Sequence, residues 1–282
     1  MKVKLYSSSH TSQIDEKLLH KKLTNNQINS LKRKENYNFI SEPNLKTYPG
    51  KIYSLNNKVR GVIEIYEDYK KEGRKLKLLS LGCGYGDKEI WLAKKSKNLN
   101  ITCIDNAPYT NELNNIVKLS GIRNIHFKKN DILNYETKDK FDIIFCWAVI
   151  YCLDDNELKI FYKKVNKLLK NNGKFYLGST AVLSLYMKTN LYLKKKFKIK
   201  THNNKKLIIT GWLRDEEELL NLIELNFRLI NKKYFDLISN ISFLKNKNYL
   251  NKIFNFLLNI IKCNIFSPTV LFKLKKLNDR ST

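Results

Sequence analysis

Residues 76–93 read Leu-Lys-Leu-Leu-Ser-Leu-Gly-Cys-Gly-Tyr-Gly-Asp-Lys-Glu-Ile-Trp-Leu-Ala, and the rest of the chain is read outward from them. Leu76, Leu78, Leu79 and Leu81 make a nearly unbroken apolar run, the pattern of a parallel strand covered on both faces. Glycines at 82, 84 and 86 turn the chain, and Ile90, Leu92 and Ala93 open an amphipathic helix. Strand, glycine turn and helix in that order form a nucleotide-binding corner. Glycine is required because the backbone must turn sharply and approach a ligand that any Cβ would push away.

The spacing narrows the ligand. A dinucleotide turn has Gly-x-Gly-x-x-Gly and seats a pyrophosphate on the helix N-terminus. Here the pattern is Gly-x-Gly-x-Gly, and Asp87 stands where the last glycine would fall. A carboxylate there repels pyrophosphate and suits a ligand with cationic groups, such as the sulfonium and α-ammonium of S-adenosylmethionine. At this point the chain resembles the class I S-adenosylmethionine-dependent methyltransferases, with a domain like methyltransferase types 11 and 25. Their first motif often reads Leu-Gly-Cys-Gly-x-Gly-Asp before a helix. The resemblance assigns Gly82, Cys83, Gly84, Gly86 and Asp87 to the cofactor turn.

Downstream landmarks follow in order. Ile101-Thr-Cys-Ile-Asp105 is a short apolar run ending in a carboxylate, 23 residues after Gly82. That is close to the distance at which a second-strand acid meets the ribose diol, so Asp105, with Asn106 beside it, is expected at the cofactor. A helix over 111–120 is closed by Gly121, and 124–128 is strand three. In the resembled family an Asp beside an apolar residue at this strand end receives the adenine amine and packs the ring, which implies Asp131 and Ile132. Residues 141–147 are strand four. Ligands of open α/β sheets sit outside the carboxyl ends of the strands, so Cys146, Trp147 and then Tyr151 and Cys152 are expected around the transferred methyl group. The Asn-Pro-Pro-Tyr tetrapeptide of base N-methylases and the Pro-Cys pair of carbon-5 RNA methylases are both absent here, where the chain reads Phe145-Cys-Trp-Ala-Val149. Cys146 is therefore read as a packing residue. A helix over 156–169, capped by Asp155, leads through the Asn171-Asn-Gly turn to strand five, and Ser179 at its end is a candidate acceptor contact. Tyr151, Asp154 and His202 are candidate bases, on location alone.

The expected fold is α/β, a Rossmann-like seven-stranded sheet in order 3-2-1-4-5-7-6 with strand seven antiparallel and helices on both faces. Residues 1–54 read as a polar, helical extension with helices near 16–23 and 26–34; the resemblance implies a candidate lid here, a segment closing over the cofactor and substrate that would give Tyr48 and Tyr53 access to the site. Residues 55–282 read as the methyltransferase domain. Within it lie an insertion at about 181–212, a capping box at Asp215-Glu-Glu-Glu218, and an apolar helix at about 249–262 between the last two strands.

Composition bounds the function. A hydrophobic content of 43% is that of a globular chain, and five cysteines without Cys-x-x-Cys spacing give neither a disulfide framework nor a metal site. No leader or spanning segment is evident, so a cytoplasmic location is expected, with the 249–262 helix able to lie on a membrane surface. The net charge of +27 fits an RNA, an acidic acceptor or an anionic surface, and also fits a lysine- and asparagine-rich composition without any partner. The resemblance implies methyl transfer from S-adenosylmethionine to an oxygen of a small molecule, glycan or lipid-linked precursor. RNA methylation on the basic surface is one alternative, and a cofactor-binding module without turnover is another.

Overall fold

The computed structural model describes residues 2–8, 11–13, 60–84, 86–106, 110–179, 182–196, 208–235, 257 and 269–277. Strands β1 (Lys2–Ser8) and β2 (Thr11–Gln13) come first. Then follow α1 (Arg60–Glu72), β3 (Leu76–Leu81), α2 (Asp87–Lys95), β4 (Leu99–Asp105), α3 (Thr110–Leu119), β5 (Ile125–Lys129) and β6 (Phe141–Trp147). A 3-10 turn at Ile150–Cys152 leads to α4 (Asp155–Leu168), β7 (Leu169–Ser179), β8 (Val182–Leu183) and α5 (Leu185–Lys196). The chain continues with β9 (Ile208–Asp215), α6 (Glu216–Glu224), β10 (Phe227–Phe235) and β11 (Thr269–Lys276).

Seven strands form one sheet in the order β5-β4-β3-β6-β7-β11-β10. The five from β3 to β7 are parallel, and β11 runs antiparallel between β7 and β10. This is the order expected from sequence. Alternation along each central strand divides the core into two layers. Leu79, Ile144, Cys146, Phe175 and Leu177 pack with Leu158, Phe161, Tyr162 and Val165 of α4 and with Leu219 and Ile223 of α6. Leu78, Ile101, Ile143, Phe145 and Tyr176 pack on the other face with Val62 and Ile65 of α1, Ile90 and Leu92 of α2, and Leu113 and Val117 of α3. Both faces are thus covered, which is why these strands read as apolar runs.

A second sheet, β2-β1-β9-β8, was not foreseen. Strand β1 pairs antiparallel with β9, from Lys2 opposite Arg214 to Ser7 opposite Ile208, and β8 lies parallel on the far side of β9. The described part of the N-terminal extension, 2–8 and 11–13, is therefore a strand pair, for which the sequence reading gave no assignment. The insertion expected over 181–212 supplies β8, α5 and most of β9. The helices expected near 16–23 and 26–34, Tyr48, Tyr53, His202 and all of the 249–262 helix except Leu257 lie outside the described residues.

Two caps differ from expectation. Asp154, not Asp155, is the N-cap of α4: its carboxylate accepts from the Asn156 and Glu157 amides at 3.0 Å, and Glu157 accepts from the Asp154 amide at 2.9 Å, a complete capping box. Asp215 starts α6 without a side-chain cap, because its carboxylate is drawn instead into an ion pair with Lys188. The Asn171-Asn-Gly173 segment, expected as a turn ahead of the strand, lies within the span of β7 as a bulge: pairing with β6 passes from Phe141 opposite Leu169 to Ile143 opposite Lys174 and skips it.

At the opposite edge of the sheet from the glycine turn, Asp142 gathers three elements. Its carboxylate accepts from the Lys77 amide at 2.9 Å, from Arg74 at 3.0 Å and from Lys170 at 2.9 Å, with 7% of the side chain exposed. Burial by itself would raise its pKa, but these donors outweigh that and hold the carboxyl below its usual range. A depressed folded value means that the stabilisation is present above the unfolded-state pKa of about 3.9 and is lost as pH falls through the folded value. Asp142→Asn should cost about 1–3 kcal/mol at neutral pH, the two cations being partly exposed. Urea denaturation should show that deficit constant above about pH 5 and shrinking below pH 4. An equal deficit at pH 3 and pH 7 would assign the loss to packing.

Candidate active site

The corner stands where β3 ends. Gly82, Gly84 and Gly86 all have positive φ, at 73°, 54° and 67°, but they are glycine for two different reasons. A Cβ on Gly82 would lie 2.3 Å from Val149, and one on Gly86 would lie 2.4 Å from the Phe127 ring. Both positions are closed by packing. A Cβ on Gly84 would have nothing within 4 Å, so this residue alone presents backbone to open space. The tip of the turn is where a ligand can approach the main chain.

The Gly84 amide donates to Asp105 Oδ2 at 2.7 Å, tying the tip of the turn to the end of β4. The Gly82 and Cys83 amides donate to the Ile104 carbonyl at 2.8 and 3.4 Å, so the turn is laid against β4 along its length. Asp105 is half-buried and Asn106 exposed beside it. Asp87 opens α2, half-buried, directly after the left-handed Gly86. Cys83 is a free, half-buried thiol; a hydrogen bond with the Cys103 thiol and partial removal from water hold it well above the usual thiol range, so it is a neutral packing group and not a nucleophile.

Asp131 and Ile132 follow β5, which pairs with β4. One Asp131 carboxylate oxygen accepts from the Leu133 amide at 2.7 Å and the Asp131 carbonyl accepts from Asn134 and Tyr135. This closes a tight turn and fixes Ile132, half-buried, against the core. An acid and an apolar side chain at this strand end suit an adenine amine and ring face.

Strand parity separates residues that the sequence placed together. Cys146 is fully buried in the α4 layer, its thiol pushed up by burial, so it does not face a methyl group as expected. Trp147 points to the other layer, where Gly61 of α1 and Gly178 of β7 leave room for its ring: a Cβ on either would come within 2.4 Å. Phe235 meets the indole edge-on at 5.9 Å and Lys88 stands 5.6 Å from it. After Trp147, Ala148 adopts φ 58°, an uncommon state for a residue with a Cβ, and its amide donates to the Gly178 carbonyl. This bend carries Val149 under Gly82 and starts the 3-10 turn that holds Tyr151.

The candidate bases fare differently. Tyr151 is half-buried, and the neighbouring Cys152 and its own burial hold the phenol above its usual range, so it stays a proton donor. Asp154 is the helix cap described above, which accounts for its carboxylate structurally. Ser179 is buried at the end of β7, opposite Val270, and does not open toward an acceptor.

Two features escaped the sequence reading. Glu89 in the first turn of α2 is 3% exposed and accepts from Ser80 Oγ at 2.6 Å, a buried strut between β3 and α2 beneath the turn. Burial holds its carboxyl above the usual range. The only sign of it was one serine in a leucine strand. Arg214, 1% exposed, donates to the Ile150 and Leu153 carbonyls at 3.2 and 2.7 Å and pairs with Asp155 at 3.0 Å. It clamps the second sheet onto the 3-10 turn.

Residues 78–173, about a third of the chain and spanning every element of this corner, match the family described as a methyltransferase domain. The chain carries a methyltransferase domain. S-adenosylmethionine is the cofactor of this domain family. Open backbone at Gly84, a carboxylate at Asp105 and an acid with an apolar neighbour at 131–132 fit the nucleoside. Among solved structures, the PH0226 protein of Pyrococcus horikoshii OT3 superposes with a TM-score of 0.54 at 17% identity, over 86% of this chain and 99% of that one. An O-methyltransferase of the trans-AT PKS multienzyme of Brevibacillus brevis, bound to S-adenosyl-L-homocysteine, gives 0.52 at 14% identity over 83% and 77%. At such identities the likeness is one of fold. Comparison of the sequence with curated proteins found no match.

The methyltransferase domain allows the glycines to be told apart experimentally. Gly84→Ala should weaken cofactor binding at least tenfold with a stability loss of about 1 kcal/mol. Gly82→Ala, which meets Val149, should instead destabilise the fold by about 2 kcal/mol or more. Titration calorimetry and thermal melts separate the two. Asp105→Ala should lower cofactor affinity about 10- to 100-fold, the worth of a charge-assisted bond. Parent-like affinity in both Gly84→Ala and Asp105→Ala would remove the site from this corner.

Proposed function

We propose that this methyltransferase acts on an oxygen of a small molecule, a glycan or a lipid-linked precursor. The observation that carries the reading is the pairing of open backbone at Gly84 with the Asp105 carboxylate. It supports a nucleoside donor seated at the C-terminal edge of β3 and β4, with the acceptor approaching from beyond β6 and β7. The Asp105 carboxylate would hold the ribose, the Asp131 and Ile132 pair the adenine, and the Gly84 backbone the methionyl portion. When bound, S-adenosylmethionine supplies an electrophilic methyl group on sulfur.

The chain's own contribution is alignment. The acceptor oxygen, the methyl carbon and the departing sulfur must lie in line, and such positioning lowers a barrier by several kcal/mol without covalent catalysis. The protonated thiols of buried Cys146 and half-buried Cys83 argue against a covalent intermediate on either and favour direct transfer. Tyr151, held as a neutral phenol, suits donation of a hydrogen bond to the acceptor rather than proton removal.

The +27 charge favours a second reading, methylation of RNA. Extract of the producing cells, incubated with isotopically labelled S-adenosylmethionine and enzyme and resolved by mass spectrometry, distinguishes them. Label in an ether or ester of a small molecule, glycan or lipid is the expected result. Label confined to RNA, with binding that weakens steeply as salt is raised, would establish the second reading. The absence of any labelled product beyond the enzyme-free control would reduce the chain to a cofactor-binding module.

A further inference from the structure

We propose that helix α5 docks this chain onto membranes bearing anionic lipid. Leu185, Tyr192 and Leu193 are 55%, 62% and 42% exposed. At positions i, i+7 and i+8 they share one side of the helix, together with exposed Thr189 and Lys196. Among the described residues no other helix carries more than one exposed large apolar side chain. An apolar ridge of this kind on a protein surface marks an interaction site.

The chemistry of the ridge selects the partner. The helix ends in Lys194-Lys195-Lys196, within a chain of net charge +27. A bilayer containing acidic phospholipid meets both requirements, taking leucine and tyrosine side chains at the headgroup boundary and ammonium groups at the phosphates, while lysine stems lie along the apolar surface. RNA would be met by stacking rings and guanidinium groups, whereas this ridge has two leucines to one tyrosine and the helix has no arginine. No described helix is long and apolar enough to cross a bilayer, so the contact is superficial.

Helix α5 begins six residues after Ser179, at the sheet edge that holds the glycine turn. Docking through it turns that edge toward the lipid, where an amphiphilic acceptor is reached without leaving the bilayer. This last point rests on the methyl-transfer reading, whereas the docking itself does not.

Sedimentation of the full chain with sucrose-loaded vesicles tests the proposal. The chain should bind phosphatidylcholine vesicles containing about 30% phosphatidylglycerol and leave pure phosphatidylcholine vesicles in the supernatant. The triple variant Leu185→Ser, Tyr192→Ser, Leu193→Ser and the separate triple variant Lys194→Gln, Lys195→Gln, Lys196→Gln should each lower the partition coefficient about tenfold or more. Both should bind cofactor like the parent in calorimetry, which shows the fold intact. Failure of the parent to bind the anionic vesicles, parent-like binding by both variants, or preferential binding to poly(U) RNA in competition would overturn the proposal. Loss of docking alongside a labelled product in the extract experiment leaves methyl transfer standing, and vesicle binding without any labelled product leaves docking standing.

Discussion

The hydrogen bond from the Gly84 amide to Asp105 is the contact on which the site depends. It joins Gly84, the residue at the tip of the turn that has no side chain, to the end of the neighbouring strand, so the tip is held without filling the space it borders. Packing supplies the rest of the support. Val149 closes one side of the turn and Phe127 the other, each occupying the volume that a Cβ on the adjacent glycine would need. The glycines at 82 and 86 thus serve the protein's interior, while the one at 84 leaves its backbone facing open space.

Support for this corner reaches well beyond it. Beneath the turn, Ser80 and Glu89 satisfy each other in a setting where an unpaired carboxyl would be costly. Beside it, the bend at Ala148 carries the chain from β6 under Gly82, and Arg214 fastens the following turn to the second sheet. The segment that follows β6 is therefore braced from a sheet that joins residues 2–8 and 11–13 to residues 182–183 and 208–215.

Much of this could be read before any coordinates. The central strands are covered on both faces and so announce themselves as apolar runs, and the glycine turn and Asp105, which one hydrogen bond joins in the structure, stand out through their spacing along the chain. Other features were hidden for identifiable reasons. Cys146 and Trp147 are adjacent, and adjacent strand residues face opposite layers, so both could not line one wall. Asp154 and Asp155 differ by one position, and only the geometry of the helix start decides which carboxylate caps and which pairs with Arg214. The second sheet escaped notice because β1 and β2 are of mixed polarity and the strand that continues the sheet, β9, lies some two hundred residues away, where no local pattern can signal it.

That separation bears on how the molecule is made. Lys2 faces Arg214 across the ladder, and β11 slots between β7 and β10 although it is the last strand described. Neither sheet can be completed during synthesis until most of the polypeptide has emerged from the ribosome, and the contacts that close them span long loops with a correspondingly large entropic cost. A nascent chain with β3 to β7 in place holds β7 as an uncovered hydrogen-bonding edge while it waits, a state in which pairing with another copy competes with pairing with its own tail.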